Sequence, residues 1–200
     1  MTGRTRRALR ARRARGDRGA VLVEAAFALP VFLLLVFGVI EWGLFFSGSA
    51  TSTSATRTGS RFASANFAVS SNKQTAAHSI RDVVQGNLRA LTGQDEPVAL
   101  WIYKADSLGN PMSGSFNSCT TACFRYTWNT ATDTFDYDGS SLGWTNPSAC
   151  TSVPPIDYIG VYVQVTHSYV TGFLSTAVGA TTTINEHSTA RLEPLPLTQC

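Results

Sequence analysis

The sequence predicts an α+β protein: a long N-terminal transmembrane helix, then an amphipathic helix and a small antiparallel β-sheet. Three observations carry that prediction. Residues 20–46 are apolar apart from two glutamates. Residues 71–92 place apolar side chains at helical spacing. Beyond residue 98 the texture changes to short alternating, β-branched and aromatic stretches divided by Gly, Ser, Pro and Asn.

The first segment, 1–19, reads MTGRTRRALRARRARGDRG. Residues 1–18 hold eight of the 16 Lys and Arg and one acid, Asp17, so the net charge of +3 averages a basic tip with a mildly acidic body. Such a leader could lie as a helix on RNA or lipid. The body lacks the basic face that nucleic-acid binding requires, so no nucleic-acid partner is expected. The apolar run that follows makes the arginines the positive flank that holds an anchor's N-terminus in the cytoplasm.

As a helix, 20–46 would run about 40 Å at ~1.5 Å per residue, enough to cross a hydrocarbon core of about 30 Å. Membrane lipid is therefore an expected partner. Pro30 lacks a donor N–H and should kink the run rather than end it. Gly38 and Gly43 are points where another helix can approach closely. Glu41, next to Trp42, is expected at the outer interface. The Ser/Thr/Ala-rich stretch 47–70 should extend the helix out of the membrane to about Ala68, although Gly59 weakens it.

Residues 71–200 are expected to form an extracytoplasmic α+β domain. Its helix should open with Ser71 and Gln74 as a capping box and stop near Gly93. Ala76, Ile80, Val83, Val84, Leu88 and Leu91 would face inward, with His78, Arg81, Asp82, Gln85 and Arg89 outward. Strands are expected at Val98–Lys104, at Tyr158–Thr166 with Val161, Val163 and Val165 on one face, and at Thr181–Arg191. Phe124, Tyr126 and Trp128 should form a hairpin with Phe135 and Tyr137, with Asn129–Asp133 as the loop. Residues 105–122 and 139–157 read as loops.

All four cysteines, Cys119, Cys123, Cys150 and Cys200, lie beyond the apolar run. An even number on one side of a membrane span points to two disulfides in an oxidising space. Four zinc ligands are the alternative, but the C-x₂-C pairs of zinc ribbons are missing. Cys150 is expected to pair with Cys119 or Cys123, and Cys200 with the one left over. A Cys119–Cys123 link would constrain the unfolded chain least.

The junction at Gly19 carries the most information. In a secretory signal the apolar core precedes the cleavage site and is removed. Here the apolar core follows a Gly that ends a basic stretch, so a cut after Gly19 would keep it and make Ala20 the first residue and Glu24 the fifth. GAVLVEAAFALP at 19–30, ATRTGSRFAS at 55–64, YIGVYVQV at 158–165 and STARLEP at 188–194 together resemble the TadE-like proteins of the Tad (tight adherence) type IV pilus system. The family's "GAR-A" segment reads Gly59-Ser60-Arg61-Phe62-Ala63, with Ser for the usual Ala. The resemblance is specific over 19–64 and looser beyond, and the cysteine-bearing middle is not part of the general pattern.

The resemblance implies a pilin-like fold and a minor pilin or pseudopilin, cut after Gly19 by a prepilin peptidase. Other Tad pilins and the assembly platform would be its partners. It implies no enzyme activity, no cofactor and no metal. The runner-up is a plain anchored surface domain that keeps its leader. Independently of family, a carboxylate in an apolar run costs roughly 2.5–3.5 kcal/mol near the bilayer centre and less at the edge, and is usually paired. Glu24 could neutralise the new Ala20 amine of a neighbouring subunit, or sit at headgroup level and do nothing.

Weaker signals have plain explanations. Ser70-Ser71-Asn72-Lys73 fits S-x-x-K without the companion elements of a serine acylase. Asp133, Asp136 and Asp138 hint at a calcium loop but lack key ligand positions. His78 is expected to pair with Asp82 one turn on. His167 and His187 could meet across strands, with no carboxylate at metal-ligand spacing.

Overall fold

The computed structural model describes the chain apart from residues 1–3, 92, 117, 120, 140–142, 153–154, 172–178, 197 and 199, with side chains from residue 19 onward. The arginine side chains of the leader therefore lie outside the described residues. The fold is α+β. Helix α1 is Arg4–Asn66 and helix α2 is Lys73–Leu88. The strands are β1 (Asp95–Ala105), β2 (Cys123–Asn129), β3 (Thr134–Tyr137), β4 (Tyr158–Ser168) and β5 (Thr181–Arg191). The chain divides into two units, Met1–Gly43 and Leu44–Cys200.

In the first unit, α1 runs through Pro30 without ending. Its apolar side chains are exposed, from Val21 at 63% to Val39 at 74%. A helix that presents Leu, Phe and Val all round is stable in lipid, where each backbone group is satisfied within the helix. From Gly19 on, it is long and apolar enough to cross a membrane once.

The second unit is built around an antiparallel sheet of order β3-β2-β1-β4-β5. One face carries Leu100 and Ile102 of β1, Phe124 and Tyr126 of β2, and Val161, Val163 and Val165 of β4, all buried. Ala76, Ile80, Val84 and Leu88 of α2 pack there, at the spacing the sequence shows, together with Ala55, Ala63 and Phe67 of α1. Full burial of each large aliphatic side chain contributes roughly 1.5–3 kcal/mol.

In the Ser/Thr-rich part of α1 the hydroxyls bond back to the helix's own carbonyls. Thr51 and Ser52 donate to the carbonyls of Ser47 and Gly48, and Thr56, Ser60 and Ser64 to those of Thr53, Arg57 and Arg61. Ser52, Thr56 and Ser60 are thereby buried without unpaired hydroxyls. The helix ends at Asn66, two residues before the expected limit. There Lys73 Nζ donates to the carbonyls of Phe67, Ala68 and Ser70, a cation on the carbonyl end of the helix. That accounts for the lysine of the S-x-x-K string.

Several expectations need correction. The N-cap of α2 is Asn72, not Ser71: its Oδ1 accepts from the backbone N–H of Gln74 and Thr75. The helix stops at Leu88, well before Gly93, because Ala90 and Leu91 tighten onto the carbonyls of Asn87 and Leu88. β1 begins at Asp95, three residues before Val98.

The disulfides are Cys119–Cys123 and Cys150–Cys200, so the expected link from Cys150 to the hairpin is wrong. Ala122, at φ 53°, turns the chain back between the first pair. The second pair follows from the C-terminal segment lying along the loop before β4: Leu195 N–H donates to the Ala149 carbonyl, and Leu192 N–H to that of Asp157.

The sheet's other face is partly covered as well. Tyr103, Ala105, Cys119, Cys123 and Tyr162 form a second buried cluster under Phe116 of the long loop. Tyr103 lies across Gly160, where any side chain would collide with its ring.

Candidate functional site

Four stretches distinguish the sequence, 19–30, 55–64, 158–165 and 188–194, and the structure joins three of them. Gly59 is buried on α1, and a Cβ there would run into Val84 of α2 and sit 3.5 Å from Val161 of β4. Ser60 Oγ is 3.0 Å from Ser188 Oγ on β5. The Ser64 carbonyl accepts from Glu193 N–H, just past β5. Glycine thus lets the helix come down onto the valine strand, and two serines fix its register along β5. Arg61 points away and is exposed. A further contact lies lower on α1, where Ser49 Oγ donates to Glu186 Oε1.

The docking ends in a buried polar pair that sequence reading missed. Asp95 Oδ1 is 2.7 Å from His167 Nδ1, and both side chains are fully buried. Gly48 makes room for them: a Cβ there would stand 2.7 Å from Asp95 Oδ2. Phe45 and Tyr169 meet the imidazole edge-on. The available signal was the second small residue, Gly48, on the same helical face as Ser52 and Gly59.

The fourth stretch belongs to the first unit. Among the described residues, nothing outside Gly19's own helix backbone and chain neighbours lies within 4 Å of its Cβ position. Ala20 and Glu24 are exposed and one helical turn apart, on the same side of α1. Gly38 and Gly43 are equally open. The segment presents a glycine with clear surroundings, a small residue after it, and a carboxylate one turn further on.

The histidines separate. His78 does not pair with Asp82, which is bound by Arg81 at 2.7 Å. Its Nδ1 is 3.0 Å from Tyr126 Oη, with Tyr137 edge-on. Burial, then the nearby Arg81, lowers its pKa, partly offset by Asp82. Burial raises the Tyr126 hydroxyl well above its ordinary value. Neutral imidazole and protonated phenol therefore share this hydrogen bond. His187 does not face His167, because the register pairs it with Tyr162. Among the described residues, no three His, Cys, Asp or Glu side chains gather as metal ligands.

Residues 19–61 match the family model of TadE-like protein, the family the sequence resembles. No curated protein and no solved structure matches the chain.

Proposed function

We propose that this chain, with its TadE-like segment, is a minor pilin or pseudopilin-like component of Tad pilus assembly. It is a structural part and a peptidase substrate, without catalysis of its own. The observation that carries this reading is the clear Gly19–Ala20 junction ahead of Glu24 on an exposed apolar helix. The chain inserts with its arginines in the cytoplasm and is trimmed after Gly19 by a prepilin peptidase. The apolar helix then packs against helices of other pilins at the assembly platform, while residues 44–200 face the extracytoplasmic side.

In that bundle the Ala20 amine is a cation at the edge of the apolar layer. An unpaired charge there is costly, and Glu24 supplies the counter-charge. A charge-assisted hydrogen bond of this kind contributes about 1.5–3 kcal/mol.

Two variants expressed in the native host separate the steps, with mature N-terminal mass and co-purified pilins as readouts. Gly19→Val should accumulate uncut precursor that still inserts. Glu24→Ala should be cut normally yet lose roughly tenfold or more in association, and Glu24→Gln should resemble it. If the parent protein keeps residues 1–19, it is a plain anchor and not a processed pilin. If Glu24→Ala assembles like the parent, Glu24 is only an interfacial residue.

A further inference from the structure

The face of the sheet turned away from the helices is covered at one end by the 106–122 loop, through Phe116 over Tyr162 and His187. At the other end Thr127 and Asn185 are exposed among the described residues, and register fixes what that end presents. Ala99 of β1 lies between Thr127 of β2 and Gln164 of β4, and Gln164 is opposite Asn185 of β5. Trp101 follows two residues along the same face, half-buried, with its ring centroid 5.0 Å from that of Tyr162. The methyl of Ala99 is the smallest side chain in its row, so it forms a low floor between taller neighbours. An indole stands at one end of that floor.

The two amides are oriented by their own bonds. Asn185 Oδ1 accepts from Tyr162 Oη at 2.7 Å and from Gln164 Nε2 at 3.2 Å. That occupies the Asn185 carbonyl and leaves its Nδ2 donors and the Gln164 Oε1 acceptor for a ligand. The surroundings carry little net charge: Arg125, beside Trp101, is bound to Asp138 at 2.9 Å, and Glu96 of β1 is exposed.

We propose that this trough, Trp101–Ala99 flanked by Thr127, Gln164 and Asn185, binds a neutral oligosaccharide of pyranose units. A pyranose has an apolar C–H face and a rim of hydroxyls, each both donor and acceptor. The trough offers the matching parts: an aromatic platform beside one fixed donor and one fixed acceptor. The exposed Glu96 carboxylate disfavours polyanions such as nucleic acids and uronate polymers. Neutral hydrogen bonds contribute about 0.5–1.5 kcal/mol each, so affinity should be modest and built up over several sugar units. The site does not depend on leader cleavage.

The test uses full-length protein in nanodiscs, titrated calorimetrically with cellohexaose and chitohexaose. Saturable binding of at least one is expected, with Kd on the order of 0.1–1 mM. Trp101→Ala and Asn185→Leu should each weaken it roughly tenfold. Thr127→Lys places a long charged side chain over the floor from an exposed position, so it should abolish binding while the melting temperature stays that of the parent. Leu108→Ser, at an exposed apolar residue outside the trough, should bind like the parent. The proposal is overturned if neither oligosaccharide binds the folded parent protein, or if Thr127→Lys binds as well as the parent. It is also overturned if a photocrosslinker at Thr127 captures one defined protein in the native membrane and neither sugar reduces the capture.

Discussion

The two parts of α1 on either side of residue 46 obey opposite rules. Over 20–40 the large side chains are apolar and nearly all exposed, with Phe27 at 77% and Leu35 at 62%. In 47–66 the side chains are small and hydroxylated, and the inward ones, Ser52, Ala55, Thr56, Ser60 and Ala63, are almost completely buried. The first part has hydrophobicity without a matching protein surface; the second has a matching surface with little hydrophobicity. Glycine takes its meaning from this. A Cβ on Gly38 or Gly43 would meet no described atom beyond its own helix, whereas on Gly48 and Gly59 it would strike Asp95 and Val84. Lipid accepts any apolar outline, but a packed sheet accepts only the shape that fits it.

The contrast is broken most severely by loosening the packed side alone. The Cys150–Cys200 disulfide spans a sequence separation of 50 and that of Cys119–Cys123 spans 4. Loop-closure entropy then assigns about 4 kcal/mol to the first and about 2 kcal/mol to the second. The double variant Cys150→Ser/Cys200→Ser should lower the denaturant midpoint of the sheet domain about twice as far as Cys119→Ser/Cys123→Ser. Membrane insertion, which depends on 20–46, should be unchanged in both. Equal midpoint shifts would show that strain or residual structure, not loop length, governs the two bridges.

A pair of glycine substitutions sharpens the same contrast. Gly59→Val forces a branched side chain between α1, Val84 and Val161, and overpacking of this kind costs about 1–3 kcal/mol. Gly38→Val meets open space and should leave domain stability within about 0.5 kcal/mol of the parent. Thermal unfolding of the two variants in the same detergent is the measurement. If Gly59→Val melts with the parent, the docking of α1 on β4 is looser than the packing implies.

How far the sequence foretold each region follows from the same difference. The anchor was plain because hydropathy is a property of consecutive residues. β2, β3, β4 and β5 were close to their true limits because alternation is local too. Tertiary facts were the ones missed. Asp95–His167 joins residues 72 apart in sequence, and no periodicity announces such a pair. The disulfide pairing turned on Ala122 taking a left-handed conformation and on the C-terminal segment lying beside Ala149, neither of which is encoded in cysteine spacing. His78 looked like a solvated helix residue because its partner, Tyr126, comes from a strand 48 residues away. Of the candidate site, Gly19, Glu24 and the Gly59 segment were legible as motifs. That Ser60 and Ser64 would meet Ser188 and Glu193 was not.

The smallest expected effect concerns acid, and it distinguishes the domain from its anchor through one imidazole. His78 Nδ1 shares a hydrogen bond with Tyr126 Oη, and its pKa lies below the ordinary value of 6.5, chiefly from burial. The folded state therefore binds fewer protons than the unfolded state once the pH falls toward that value. Stability contributed by neutral His78 is complete above about pH 6.5, is lost as pH falls through the lowered folded value, and is constant below it. Protonation makes Nδ1 a donor only, so the bond to Tyr126 persists only with the phenol oxygen accepting. His78→Gln keeps a carbonyl acceptor and does not titrate. Melting temperatures of the parent protein between pH 8 and pH 5 should decline on the acid side, and His78→Gln should remove part of that decline while leaving the alkaline plateau nearly unmoved. Superimposable pH profiles for the two proteins would mean that the acid sensitivity resides in other groups and that the His78–Tyr126 bond contributes nothing that protonation can take away.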